Sequence, residues 1–224
     1  DRDDLLIEAQ LAADRAAGLV RHLLSYARTA RITPELVDFP ALIDEIQTLS
    51  NNMIPSSTPL TVMRPPTALN LVADQAQLVT ALLALILNAA EAQQSRPGHP
   101  VTLSVTEALR MTPLDLADGR SLPTGRYIRF SVRDSGPGIP ASVLPHVAEP
   151  FFTTKPPGTA SGMGLAMVSG FAEQSGGGFE IETGASGTAV HLYLPPVSPV
   201  ARGSVAATGR RLPIKLPDAP IARN

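Results

Sequence analysis

Between Asp134 and Gly177 the chain carries two glycine-bearing turns separated by an aromatic, threonine-rich loop that ends in lysine. The segments read DSGPGIP (Asp134 to Pro140), EPFFTTK (Glu149 to Lys155) and GTASGMGLAMVSGFAEQSGG (Gly158 to Gly177). The second glycine turn runs straight into an apolar helical pattern, and a helix opened in this way presents free backbone N–H groups and the positive end of its dipole, which suit phosphate oxygens. Just upstream, RYIRFSVR (Arg126 to Arg133) has the apolar content of a strand that delivers Asp134 to the end of a sheet, where ligands of open α/β folds lie. The pattern points to a nucleotide site with a mobile cover.

The rest of the composition narrows the alternatives. At 224 residues and 44% hydrophobic content the chain can fill a core and is not a disordered protein. A net charge of -2 and the absence of a Lys or Arg run disfavour nucleic acid as a partner. With no Cys there is no disulfide framework and no thiolate metal site, which fits a reducing cytoplasm, and four scattered His do not make a zinc motif. No apolar run approaches the roughly 20 residues that span a bilayer. Because Asp1 falls inside a running helical pattern rather than at a Met, the chain is expected to be a fragment of something longer.

Leu5, Ala9, Ala12, Ala16, Leu19, Leu23 and Tyr26 recur at alternating steps of four and three, the seam of a helix packed on other helices. This helix is expected to close near Arg31, ahead of Pro34, so that residues 1–33 form a unit of their own. Asp38 then reads as an N-cap with Pro40 in the first turn, and Leu42, Ile43, Ile46 and Leu49 form an apolar face to about Asn52. Leu60 to Met63 and Leu69 to Ala73 read as a hairpin or neighbouring strands. Asp74 caps a helix, DQAQLVTALLALILNAAEAQQ, that is apolar on most sides and therefore expected to be buried. Within it Asn88 is an amide that needs a partner. Either its side chain bonds to neighbouring backbone, or its carbonyl oxygen meets a Mg2+ ion or its waters.

Val101 to Ala108 alternates as a strand, Met111 to Pro123 reads as an exposed loop, and Pro140 to Val147 holds a short helix at most. Met163 to Gln174 is helical, and Phe179 to Thr183 with Thr188 to Leu194 forms a hairpin turning at Gly184 to Gly187. The domain is expected over 34–196. From 197 to 224 the Pro-, Gly- and Ala-rich sequence reads as a flexible linker or tail.

In DSGPGIP the glycines permit close backbone approach and Asp134 can accept a hydrogen bond from an exocyclic amine such as adenine N6. Taken singly, each segment reads equally as a plain turn, an aromatic core contact with a solvated Lys, or an ordinary helix start. Their order is what carries meaning: an amide on an apolar helix, Asp with glycines, the aromatic Thr-Lys loop, and the glycine helix start. That order resembles the N box, first glycine box, F box and second glycine box of the sensor histidine kinase ATP-binding domain, in a version typical of nitrogen-regulator-like and hybrid kinases. The resemblance runs from about Leu5 to Pro195.

The resemblance implies a Bergerat α/β sandwich, a mixed sheet with helices on one face, preceded by the second helix of a dimerisation and histidine-phosphotransfer hairpin. It implies ATP and Mg2+ as cofactors, with Asn88 on the metal and Asp134 on the adenine amine. Gly136 and Gly138 would let the backbone approach the nucleotide, and Gly158, Gly162 and Gly164 would shape the lid and phosphate turn. Ile139, Phe152, Thr153, Thr154, Met163 and Leu165 complete the implied nucleotide contacts. Lys155 would lie near the phosphates, and Asn88 and Lys155 are the residues implied in catalysis. The implied activity is transfer of the γ-phosphoryl of ATP to a His and on to a response-regulator Asp. The implied partners are a receiver domain and a second copy of the chain, in the cytoplasm or as the cytoplasmic part of a membrane-anchored sensor.

The chain departs from the family pattern in three places. The acceptor His of the family precedes an acidic residue, whereas His22, His99, His146 and His191 precede Leu23, Pro100, Val147 and Leu192; the acceptor is expected on a helix upstream of Asp1. Ala84 stands one turn before Asn88, where the family usually has a polar side chain, and Ala160 stands where the family more often has Gly. These departures leave a second reading, a nucleotide-binding or phosphotransfer adaptor without turnover. An ATPase of the gyrase, mismatch-repair or heat-shock chaperone type is a third.

Overall fold

Alternation along the central strands decides which face of the sheet meets the helices. The computed structural model describes residues 33–65, 69–93, 96, 98–156 and 160–197. Among these, five strands form one sheet in the order β2 (Leu60–Met63), β4 (Val101–Arg110), β7 (Gly125–Arg133), β9 (Gly187–Leu194) and β8 (Gly178–Gly184). β2 runs parallel to β4, and the other pairs are antiparallel, so the sheet is mixed. Val101, Leu103, Val105, Ile128, Phe130, Val132, Phe179, Leu192 and Leu194 share one face and are buried in the core. The intervening positions, among them Thr102, Ser104, Arg129 and Ser131, project from the other face, as period-two alternation requires.

Three helices cover the apolar face: α1 (Phe39–Met53), α2 (Gln75–Ala92) and α3 (Gly164–Gln174). Asp38 caps α1 by accepting from the Ala41 N–H at 3.3 Å, with Pro40 in the first turn. Asp74 caps α2 by accepting from the Gln77 N–H at 3.1 Å. Each cap satisfies a backbone donor that the helix itself leaves free. α2 packs between α1 and α3 against the sheet, burying Leu78, Leu82, Leu85 and Ile86. By length and composition it is apolar enough to cross a membrane, but it serves here as the core helix. The two-layer α/β class read from the sequence is therefore the observed one.

Three local readings need correction. Leu60–Met63 and the 69–73 segment do not pair with each other. The first joins β4, while β3 (Val72–Ala73) pairs with a short strand the sequence reading omitted, β1 (Glu35–Leu36). The 111–123 segment is not simply an exposed loop. It contains a small hairpin, β5 (Leu114–Asp115) with β6 (Ser121–Leu122), and buries Leu116 and Leu122 against Tyr127 and Tyr193. Asn88 is half-buried rather than enclosed: it lies on the side of α2 that faces the start of α3, while its neighbours Ala89 and Ala90 stay in the core.

The β5–β6 hairpin is also tied to α3. Asp118 accepts from Arg120 Nε at 3.1 Å and Nη2 at 2.8 Å and from Ser169 Oγ at 2.9 Å. Burial pushes this carboxyl up, but the donors from Arg120 and Ser169 outweigh it and hold it below the ordinary carboxylate range. The expected seam helix over residues 1–33 lies outside the described residues save for Thr33, as does the expected tail beyond Val197. The Val197 N–H donates to the Asn70 carbonyl at 3.0 Å.

Ile86 is fully buried between helix and sheet. Ile86→Ala is expected to destabilise the domain by about 2 to 5 kcal/mol through lost burial and the cavity left behind, read as a lowered chemical-denaturation midpoint at unchanged slope.

Candidate nucleotide site

β7 ends at Arg133, and the pairing of β7 with β9 sets Asp134 beside Thr188. The Asp134 N–H donates to the Thr188 carbonyl at 2.9 Å, continuing the ladder one residue past the strand. The carboxylate turns inward, where its Oδ1 accepts from the Gly136 N–H at 2.7 Å and from the Thr188 N–H at 3.1 Å. Asp134 is 7% exposed. Its Oδ2 makes no hydrogen bond to any described residue, so one oxygen fixes the side chain and the other remains available to a donor from outside. Burial pushes the Asp134 carboxyl above the usual carboxylate range, opposed by the Gly136 and Thr188 N–H groups and the Arg133 guanidinium.

The turn after Asp134 is built against its neighbours. A Cβ on Gly136 would come within 2.8 Å of the Ala92 carbonyl oxygen, so this turn rests directly on the C-terminal end of α2. Gly138 has φ +82, a conformation open to glycine, and a Cβ there would stand 2.2 Å from the Gly184 oxygen. The Ile139 N–H donates to Thr183 Oγ1 at 2.7 Å, and Thr183 Oγ1 lies 3.0 Å from Thr188 Oγ1. Arg96 Nη1 donates to the Ser135 carbonyl at 3.0 Å. Thr183, Thr188 and Arg96 were missed in the sequence because their roles arise from strand register and from the chain path after α2, neither of which a linear motif displays.

The aromatic loop and the second glycine turn meet on the other side of α2. Gly162 has φ +67 and packs on the F-box loop so closely that a Cβ would lie 2.4 Å from the Phe151 carbonyl carbon. Phe151 itself has φ +67 and is exposed, whereas Phe152 is half-buried with its ring centroid 5.6 Å from that of His146. Thr153 and Thr154 are exposed, and Thr153 Oγ1 accepts from the Lys155 N–H at 3.2 Å. Lys155 reaches α2 and forms an ion pair with Glu91. Met163 is buried, Leu165 packs against the core, and α3 begins at Gly164 without a side-chain cap from any described residue. Gly164 lies against Asn88, with a virtual Cβ 3.2 Å from Asn88 Nδ2.

Asn88 thus faces the uncapped end of α3, and its amide makes no hydrogen bond to any described residue. Of the two readings left open by the sequence, local backbone bonding is not what the side chain does. Asn88, Asp134, Gly136, Gly138, Ile139, Phe152, Lys155, Gly162, Met163, Gly164 and Leu165 lie on the elements around the C-terminal half of α2, while Gly158 lies outside the described residues. An amide oxygen, a carboxylate oxygen, an ammonium and an open helix N-terminus on one rim suit a ligand with an amine at one end and phosphates at the other.

Residues 73–198 match the family model described as histidine kinase-, DNA gyrase B-, and HSP90-like ATPase. The chain belongs to this ATPase family. Within it, the sensor histidine kinase branch is the one the relatives indicate. The chain is 34% identical over 190 residues to the sensor kinase CckA of Brucella abortus, covering 82% of this chain and 19% of that protein. It is 30% identical over 184 residues to the sensory histidine kinase/phosphatase NtrB of Rhizobium leguminosarum bv. phaseoli, covering 81% of this chain and 46% of that protein. The chain therefore spans less than half the length of these relatives. The fold is also that of full-length ShkA crystallised with AMPPNP, at TM-score 0.66 and 19% identity over 88% of this chain and 39% of that one. The described domain is an ATPase-family domain similar in sequence to the matched region of sensor histidine kinases.

In this domain Asp134→Asn separates binding from folding. An Asn oxygen keeps both backbone N–H bonds and removes a desolvated charge. The stability gained by protonating Asp134 is fully present below its unfolded pKa and is lost as pH rises through the raised folded value, so the carboxylate is a net cost at neutral pH. The variant is expected to melt no lower than the parent at pH 7, while its affinity for ATP falls about 10- to 100-fold. A large drop in melting temperature would show that the charge is structural.

Proposed function

We propose that the site binds Mg-ATP and that the protein transfers the γ-phosphoryl to a histidine imidazole for relay to a response-regulator Asp. The single observation that supports this most is that, among the described residues, Asp134 Oδ2, the Asn88 amide and the start of α3 are all without a hydrogen-bond partner or cap and lie around the end of α2. Asp134 accepts from the adenine amine, and Gly136, Gly138 and Ile139 form the backbone wall beside it. Phe152, Thr153 and Thr154 line the loop that covers the nucleotide. The N–H groups around Gly162, Met163, Gly164 and Leu165 receive phosphate oxygens at the positive end of α3, with Lys155 adding a cation.

The donor set fits a hard cation at one point, the Asn88 carbonyl oxygen, which would hold Mg2+ together with the phosphates. Bound there, the ion would supply neutralisation of phosphate charge. The chain's own contribution is positioning and electrostatic stabilisation, which supply most of the catalysis in phosphoryl transfer. Among the described histidines, His191 is 6% exposed with its Nδ1 2.8 Å from Ser131 Oγ, which makes it a poor acceptor. The acceptor in this proposal belongs to a dimerisation hairpin, with a second copy and a receiver domain as partners and the cytoplasm as the source of ATP.

Ala84 lies one turn from Asn88 on the same helix and offers no polar group. Turnover is accordingly expected to be slow rather than absent, and Ala84→Asn is expected to raise it without tightening adenosine binding.

Titration with ATP in excess Mg2+ and in EDTA tests the metal side. The parent is expected to lose about tenfold or more in affinity on chelation, and Asn88→Ala to bind equally weakly under both conditions. Equal affinity of the parent with and without Mg2+ would remove Asn88 as the metal ligand.

A further inference from the structure

Three residues beyond Asn88 on α2 stands Glu91, a spacing that puts both side chains on one helix face, one turn apart. The Glu91 carboxylate contacts the Lys155 ammonium directly, joining α2 to the aromatic loop. Both side chains are partly exposed, at 43% and 37%, and an ion pair in that setting adds little to folding. What it does fix is where the ammonium sits. Lys155 is otherwise a four-carbon stem on a loop, whose backbone N–H donates to Thr153 Oγ1. Held by Glu91, its nitrogen sits against α2 at the residue three positions beyond Asn88. An ammonium has three N–H donors, so the bond to Glu91 leaves two for phosphate oxygens.

We propose that Glu91 is the positioning residue for the phosphate-facing lysine: it holds Lys155 beside Asn88 so that the ammonium meets the nucleotide phosphates already oriented. The inference rests on the Mg-ATP reading of the same site. Protein kinases, on an unrelated fold, use a helix glutamate in the same way to hold the lysine that contacts the ATP phosphates. Glu91 does not touch the reacting atoms and acts through Lys155. The effect must therefore depend on the ligand having phosphates, since adenosine engages only the Asp134 side.

Equilibrium binding of ATP with Mg2+ and of adenosine to the whole chain tests this, for the parent, Glu91→Gln, Glu91→Asp and Lys155→Ala. Glu91→Gln and Lys155→Ala are each expected to weaken ATP binding about 5- to 20-fold with adenosine affinity unchanged within about twofold. Glu91→Asp, which keeps the charge, is expected to recover most of the loss. Unchanged or tighter ATP binding by Glu91→Gln would overturn the proposal, as would equal weakening of ATP and adenosine, which would mark a structural role. If the parent bound neither ligand, the nucleotide reading itself would fall and this inference with it.

Discussion

Two glycines lie against the last two turns of α2 with no room to spare. Gly136 approaches the Ala92 carbonyl and Gly164 approaches the Asn88 amide, and a Cβ at either place would press on its neighbour. The site depends on this packing. α2 is anchored by Leu78, Leu82, Leu85 and Ile86 in the core, so its end is a fixed platform. Onto it the strand β7 brings Asp134, the aromatic loop brings Lys155, and α3 brings its open N-terminus. A rigid helix thereby sets the distance between the Asp134 carboxylate, proposed to read adenine, and the start of α3, proposed to receive phosphate, and preorganisation of that kind is what phosphoryl transfer asks of a protein.

The same groups are held at some cost. Asp134 stays buried with a raised pKa and only one oxygen engaged, Asn88 has no partner for its amide among the described residues, and α3 begins without a cap. In a purely structural domain each would be better replaced, by Asn, Leu or a capping Ser. Their coincidence at one end of one helix is what a ligand-binding site looks like in energetic terms. The far end of the sheet shows the opposite economy. There Tyr127 and Tyr193 meet edge to face at 6.1 Å over Leu116 and Leu122, and Asp118 is fully engaged by Arg120 and Ser169.

Much of this was legible in the residues. Asp38 and Asp74 mark helix starts, and RYIRFSVR and the strand pair around Gly184 to Gly187 give the sheet its centre and edge. The glycine boxes showed where backbone must approach closely, because few other residues tolerate Gly138 and Gly162 geometry. Pairing was less legible. Leu60 to Met63 and Leu69 to Ala73 are adjacent in sequence and equally extended, and only tertiary contacts send one to β4 and the other to β1. The 111–123 hairpin was hidden by its turn formers, since its burial comes from Tyr193, far along the chain. Glu91 and Thr188 escaped for the same reason: nothing local distinguishes a solvated Glu from one that holds a lysine on another loop.

Backbone amide hydrogen exchange with and without an ATP analogue in Mg2+ tests the central claim most directly, because the claim is that two backbone turns and one helix end meet the nucleotide together. Protection is predicted at Gly136 to Ile139 and at Gly162 to Ala166, with the β5–β6 hairpin unchanged. Protection confined to that hairpin, or no change at either glycine turn despite bound nucleotide, would contradict it.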